Sequence, residues 1–318
     1  MSQASLTVDL LEPPPPPGGG SSAIEARSPW RLAWSRLRSD RVAIVCAIVI
    51  VLIVLAALLA PLIAAAVGHK PNEADQAGGL TPEGLPLAPT WSHPFGTDYL
   101  GRDVFVRVVY AARISLLAGV VASTLAIVLG VVVGLLAGYA GGLVDSVLSR
   151  TMDVILSFPF LLFGIALVSI VGPSLGVVIG VIAFFSWASV GRIVRGQTIS
   201  QREREYVEAA RSVGASNVRI MFVEILPNLT APVLVYLTLL IPAAIVFEAT
   251  LSFLGLGVIP PTPTWGNMLA ESLGFYQVAW WYVFFPAAAL LLTTLAFNLL
   301  GDSVRDALDP RGERLFRR

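Results

Sequence analysis

Glu208-Ala209-Ala210-Arg211-Ser212-Val213-Gly214, followed further on by Ile225-Leu226-Pro227-Asn228, forms a polar island between two long apolar runs. Residues 201–213 include good helix formers and no Gly or Pro, so they predict a helix. Gly214 ends it, and Ser216 or Asn217 is placed to cap a second one. The expected picture is two short helices joined at a glycine and lying across a membrane surface, with Pro227 and Pro232 near the start of the next span. Ala209 and Ala210 leave a small flat face for close approach by another protein, and Glu208 can pair with neighbouring arginines at its rim. On residues alone the stretch reads equally well as a solvated loop or as a handle for a soluble partner.

Working outward, the rest of the chain sets the solvent. Its 318 residues are 56% hydrophobic and 13% charged, against about 25% charged in a soluble domain. Six runs are long enough to cross a hydrocarbon core: 42–67, 115–138, 151–172, 175–191, 229–253 and 279–300. Continuous apolar runs satisfy their backbone in lipid as helices, so the fold class is an all-α integral membrane protein with six transmembrane helices. The formal net charge is zero, which gives no bulk electrostatic case for nucleic acid as a partner. Cys46 is the single cysteine and excludes an internal disulfide framework; it reads as a small buried or lipid-facing hydrophobe.

Basic residues fix an expected orientation. Arg27, Arg31, Arg36, Arg38 and Arg41 precede the first run, and Arg150 follows the second. Arg192, Arg195, Arg202, Arg204, Arg211 and Arg219 surround the island, and Arg305, Arg311, Arg314, Arg317 and Arg318 close the chain. Of 21 Lys and Arg residues, the other face holds only Lys70, Arg102, Arg107 and Arg113. The positive-inside rule therefore places both termini and the island in the cytoplasm.

Residues 1–40 are expected to be a disordered Pro/Gly-rich cytoplasmic tail with a short basic segment, since Pro13 to Pro17 and Gly18 to Gly20 cannot bury a core. They do not read as a secretory signal, because the apolar run starts only at Val42 and is too long. The first span is 42–67. Residues 68–114 form an extracytoplasmic loop, irregular around Pro71, Pro82, Pro86, Pro89 and Pro94, with 103–113 able to lie at the interface as an amphipathic helix. Residues 115–300 are a five-helix core that carries the island within 196–228, and 301–318 are a cytoplasmic tail.

Two acids stand inside or close to apolar runs. Glu248 lies within the fifth, where a charge should face protein or water, and Asp153 near one end of the third. They read as a polar lining or proton relay, or as buried hydrogen bonds that fix helix packing. Gly130, Gly134 and Gly138 share one helical face and predict a close helix–helix contact. Trp265, Trp280, Trp281 and Tyr282 predict an interfacial aromatic belt. Enzyme motifs are weak. Gly172-Pro173-Ser174-Leu175-Gly176 matches a nucleophile-elbow pattern only formally, as it sits in a turn between apolar helices. The histidines His69 and His93 form no HExxH site, so no metal site and no catalytic residue is expected. Lys70, the one lysine, follows His69, which rules out a GxxxxGK[ST] phosphate loop. If ATP drives this chain, another chain hydrolyses it.

Glu208-Ala209-Ala210, three residues, Gly214, and after a gap Leu226-Pro227 resemble the EAA loop in permease subunits of bacterial ABC importers. The general pattern has isoleucine two positions before the leucine; here Glu224 stands there with Ile225 beside it, a variant similar to the dipeptide, oligopeptide and nickel branch. His93-Pro94-Phe95-Gly96-Thr97-Asp98 with Leu100-Gly101-Arg102-Asp103 resembles the outside loop of that branch's second-type permease subunit. Ala112-Arg113-Ile114-Ser115-Leu116, Glu248 with Leu251-Ser252-Phe253-Leu254-Gly255-Leu256-Gly257, and Asp302 with Arg305-Asp306-Ala307-Leu308-Asp309-Pro310 do likewise. The likeness runs from about Arg31 to Pro310 and leaves out the Pro-rich tail.

The resemblance implies a type I importer permease fold in the bacterial inner membrane. Residues 196–228 become a coupling loop, with Glu208, Ala209, Ala210, Gly214, Leu226 and Pro227 meeting the ATPase. The implied partners are a second homologous permease forming a heterodimer, two cytoplasmic ATPase subunits, an extracytoplasmic solute-binding protein and membrane lipid. The chain itself binds no cofactor; ATP and Mg belong to the ATPase subunits. Peptides are the first expected cargo, with nickel or another small solute as the alternative. A stand-alone secondary transporter using Glu248 and Asp153 is the competing class, although the sequence shows no internal repeat.

Overall fold

The computed structural model describes residues 29–308. The expected disordered segment before residue 29, and the basic residues from Arg311 onward, lie outside the described residues. Among the described residues there is no strand; two isolated bridges, Leu80 to Pro86 and Thr97 to Asp103, are the nearest approach to a sheet.

Helix α1 (Pro29–Ser39) stands where a tail was expected. Proline suits the first helical turn, where its missing N–H has no partner to lose. Asp40 then caps α2 (Arg41–Leu58), its Oδ1 accepting from Val42 N at 2.9 Å. Pro61 lacks the N–H that would continue the ladder, so the apolar run breaks at Leu59 and resumes as α3 (Ala60–Val67). Gly68, at φ +85°, ends α3 in the left-handed conformation that glycine adopts without strain.

The second long helix corrects the sequence reading. Helix α4 (Val104–Ala140) is one unbroken helix of 37 residues, about 55 Å long. Residues 103–113 are not a separate interface helix. Asp103 caps α4, accepting from Val106 N at 2.9 Å, residues 104–118 contain no Gly or Pro, and the glycines further on do not break the helix. Val104, Arg107 and Ala111 are fully buried. Arg107 made this stretch look amphipathic, yet its charge is matched inside the protein.

The third run, 151–172, is not one straight helix. Helices α5 (Gly142–Ser157) and α6 (Phe160–Val171) are bent by 84° at Phe158-Pro159. Proline excludes the helical conformation from the residue before it, and Phe158 accordingly sits at ψ 136°. Ser174 then caps α7 (Leu175–Arg202), its hydroxyl accepting from Val177 N at 3.2 Å. The helix extends well past the expected end at 191. The formal elbow motif is thus a helix cap with no strand before it.

The island itself is built from α8 (Glu205–Ser212), α9 (Asn217–Arg219) and a π-helical segment (Ile220–Ile225), and it leads into α10 (Leu226–Phe253). Short α11 (Trp265–Ser272) precedes α12 (Trp280–Leu308), so residues 301–308 continue a helix rather than start a tail. Five helical stretches have the length and apolar character of a span, and the bent pair α5–α6 makes a sixth if counted as one.

Helices α4 and α7 pack along each other at the centre, α10 lies against α4 and α12, and α12 against α2. The glycine stripe allows the central contact. A Cβ on Gly130 would sit 2.8 Å from Trp187 O, on Gly134 2.7 Å from Gly191 O, and on Gly138 2.7 Å from Arg195 O. Small residues let backbones touch where lipid offers no hydrophobic drive. Outward-facing Val45, Leu52, Leu62, Val128 and Leu291 are exposed, as a lipid-solvated surface requires. The expected aromatic belt is only Trp280. Trp265, Trp281 and Tyr282 are core residues, with Trp265 Nε1 donating to Val108 O and Trp281 Nε1 to Thr97 O, both at 3.2 Å.

Candidate functional site

The island is held to the bundle by a small set of contacts. Val207, fully buried on α8, packs with Ile220, Ile225 and Leu229 against Leu135 and Val194 of the central helices. Tyr139, in the last turn of α4, donates its hydroxyl to Asn217 Oδ1 at 2.9 Å. The Arg211 guanidinium lies 5.5 Å over the Tyr139 ring. Arg202 Nη1 donates to the carbonyls of Gly138 and Tyr139, two acceptors that the end of a helix leaves unpaired. Residues 201–213 are not the single helix expected from propensity: α7 ends at Arg202, and α8 begins after a turn at Glu203 and Arg204.

Gly214 at φ +82° makes the turn between the two parts. A residue with a Cβ rarely adopts that conformation, which gives Gly214 a structural reason. Ser216 caps α9, its Oγ accepting from Arg219 N at 3.4 Å. The following π segment passes directly into α10: Leu226 N donates to Met221 O, five residues back. Residues 217–253 therefore form one continuous helical unit of 37 residues. Leu226 and Pro227 open α10 at its junction with the π segment. Glu224 is only partly buried while Ile225 is fully buried, so the substitution at the expected isoleucine position leaves the inward anchor in place.

On the outer side, Glu208 and Ala209 are exposed, whereas Ala210 turns partly inward against the apolar cluster. The flat two-alanine face is thus one alanine wide. Beside it, Val213 is 85% exposed and Val218 63% exposed, with Phe222 and Val223 also outward. Sequence reading passed over these residues. Val213 and Val218 carried a signal, as apolar side chains among polar or small neighbours, whereas Phe222 and Val223 lie in the mostly apolar run 220–226 and carried none. Tyr206 donates to Gln201 Oε1 at 3.0 Å, and partial burial raises its hydroxyl above the usual phenol range, so it stays a donor.

The two acids have separate roles. Glu248 on α10 is fully buried and accepts from Ser115 Oγ at 2.8 Å and Ser252 Oγ at 2.7 Å. It bonds α10 to α4 and its own next turn. Asp153 on α5 is about half exposed and accepts from Arg192 Nη2 at 2.6 Å. No hydrogen bond or ion pair joins the two acids.

At the other end of the bundle, the loop between α3 and α4 carries a buried ion network. Arg102 Nε donates to Asp98 Oδ2 at 2.6 Å, and Glu271 Oε2 accepts from Arg102 at 3.0 Å, Arg107 at 3.1 Å and Tyr282 at 2.8 Å. Burial lowers the Arg102 guanidinium pKa, but Asp98 and Glu271 outweigh it and hold the group above the usual arginine range. The same loop brings His69, His93 and Asp103 together.

Comparison with known proteins fits this architecture. The family described as binding-protein-dependent transport system inner membrane component matches residues 130–314, and the N-terminal TM domain of oligopeptide transport permease C matches residues 28–82. A dipeptide transport system permease protein from Alkalihalophilus pseudofirmus is 43% identical over 302 residues, covering 95% of this chain and 96% of its own. Glutathione transport system permease proteins from Shigella flexneri and Salmonella typhimurium are each 42% identical over 287 residues, covering 90% of this chain and 92% of theirs. The chain belongs to the binding-protein-dependent transport system inner membrane component family, the permease subunits of ABC importers.

Proposed function

We propose that this chain is one permease half of an ATP-driven importer of small peptides, and that the island at 196–228 is its coupling loop. The observation that carries this reading is the continuity of 217–253 as a single helical unit. A force applied at the exposed rim of Glu208, Ala209 and Val213 passes through Gly214 and the π segment into α10, which packs against α4 and α12. Leu226 and Pro227 form the joint with the span.

Two cytoplasmic ATPase subunits, binding ATP and Mg, move the coupling loops, and the bundle alternates between inward-open and outward-open states. This is a two-state domain motion biased by a ligand. A second homologous permease completes the path as a heterodimer, and the exposed apolar faces of α5 and α6, with Leu143, Val154 and Ile170, provide surface for it or for lipid. A solute-binding protein delivers cargo at the α3–α4 loop. Both termini face the cytoplasm of a bacterial cell, on the basic-residue asymmetry. Arg102 and Arg107 on the opposite face are buried against acids, which supports reading the more basic face as the inner one.

Peptide cargo rests on the dipeptide and glutathione relatives; nickel or another small solute is the alternative that a competition assay separates. Glu248 is read as a packing group, because two serine hydroxyls already donate to it. Reconstitution of the chain with its ATPases, second permease and binding protein in liposomes is expected to give ATP-dependent uptake of a labelled dipeptide. Uptake by this chain alone, driven by a proton gradient, would contradict the proposal.

A further inference from the structure

We propose that His69, His93 and Asp103 form a site for a borderline divalent transition-metal cation, with zinc as the best match. One nitrogen of each imidazole and one oxygen of the carboxylate all lie within 4.8 Å of one another. Two imidazoles and a carboxylate are a donor set that zinc takes in three-ligand sites, with the remaining position open to water. Around a tetrahedral ion at about 2.0–2.2 Å, neighbouring donors sit about 3.3 Å apart. His93 Nδ1 and Asp103 Oδ2 already stand 2.9 Å apart. A slight spreading of this pair, with its hydrogen bond given up, would let one cation bind both.

The scaffold holds two of the three donors rigidly. His93 is 5% exposed and Asp103 2% exposed. Asp103 spends Oδ1 on the cap of α4 and keeps Oδ2 for His93. His93 is fixed by a turn in which its N–H donates to Thr90 Oγ1 at 3.1 Å and its carbonyl accepts from Thr90 N at 2.9 Å. His69 is the adjustable third donor. It follows Gly68 directly, is half-buried, and stacks on the His93 ring with centroids 4.5 Å apart. Its Nε2 lies 3.2 Å from Ser92 O, so binding would require the ring to turn out of the stack and direct a nitrogen at the ion, and its partial exposure gives the ion a way in.

A bound ion would clip the end of α3 to the start of α4 across the loop between them. Closing a loop in this way favours the folded state, as any ligand that binds only that state does. The inference is independent of the cargo and of the ATPase contact.

The test uses the full chain in detergent, carrying an affinity tag without histidine and stripped with a chelator. Cobalt(II) titration, read by visible absorption and competed with zinc, is expected to show one saturable ion per chain. His69→Ala is expected to weaken binding at least about tenfold, since loss of a mere outer-shell partner costs 10–100-fold. Asp103→Asn keeps a good helix cap but loses the charged donor, and is expected to weaken binding similarly. Zinc should raise the melting temperature of the wild-type chain and leave that of His69→Ala unchanged. Absence of a saturable cobalt band, or unchanged affinity in either variant, overturns the proposal.

Discussion

The Tyr139 hydroxyl donates to Asn217 Oδ1 at 2.9 Å, and this bond ties the end of the longest central helix to the second half of the island. Tyr139→Phe removes the bond and keeps the ring under Arg211. A lost hydrogen bond of this kind costs about 1 kcal/mol. The variant is expected to insert and fold normally, while amide hydrogens in 203–219 exchange several-fold faster by mass spectrometry. Unchanged exchange there would show that the apolar contacts of Val207 alone hold the island.

The α4–α7 contact predicts a steep dependence on side-chain size. Gly134→Leu places a Cβ 2.7 Å from Gly191 O, where backbone cannot yield. Overpacking costs about 1–3 kcal/mol or more, so the melting temperature in detergent is expected to fall clearly. Gly180→Ala, on α7 with open space around the added carbon, should be neutral or slightly stabilising. Equal effects of the two would contradict the packing account.

Glu248 separates a packing group from a transport group. Glu248→Leu leaves the Ser115 and Ser252 hydroxyls without their buried acceptor, at a cost of about 1–3 kcal/mol. Glu248→Gln retains an acceptor oxygen, and reconstituted uptake with this variant is expected to keep its rate and its pH profile. A flattened pH profile would favour a proton relay instead.

The buried ion network at the opposite end depends on Glu271, whose Oε2 accepts from three side chains. Glu271→Ala leaves Arg102 and Arg107 short of a counter-charge, and breaking such a buried pair costs about 3–5 kcal/mol. The expected result is a large loss of folded protein on gel filtration in detergent. Glu271→Gln should fall between wild type and alanine.

Much of this architecture is legible in the sequence because lipid imposes simple rules. Long apolar runs must be helices, and glycines at four-residue spacing must face another helix. The island was visible as the arginine-rich stretch between spans, and its Ser216 cap and Gly214 turn could be read from residue type. Other features depend on which face the fold buries. Arg107 reads as an interface charge until Asp98 and Glu271, distant in sequence, are placed beside it. Trp265 and Trp281 sit where belt residues sit, yet each finds a backbone carbonyl inside. The bend at Pro159 had a plain signal, which the continuity of the apolar run concealed. His69 lies 24 residues before His93 and Asp103 ten after it, a spacing that matches no metal motif, so only the folded loop unites them.

The central claim is that the exposed rim of the island holds the ATPase. The most direct measurement is retention of the ATPase subunit by the tagged chain purified from its native membrane, for wild type, Ala209→Trp and Val213→Asp. Both residues are exposed, so neither change should disturb insertion or the apolar anchor at Val207. The account predicts that the wild-type chain brings the ATPase with it and that both variants lose most of it while the second permease stays bound. Undiminished ATPase recovery with both variants would contradict it.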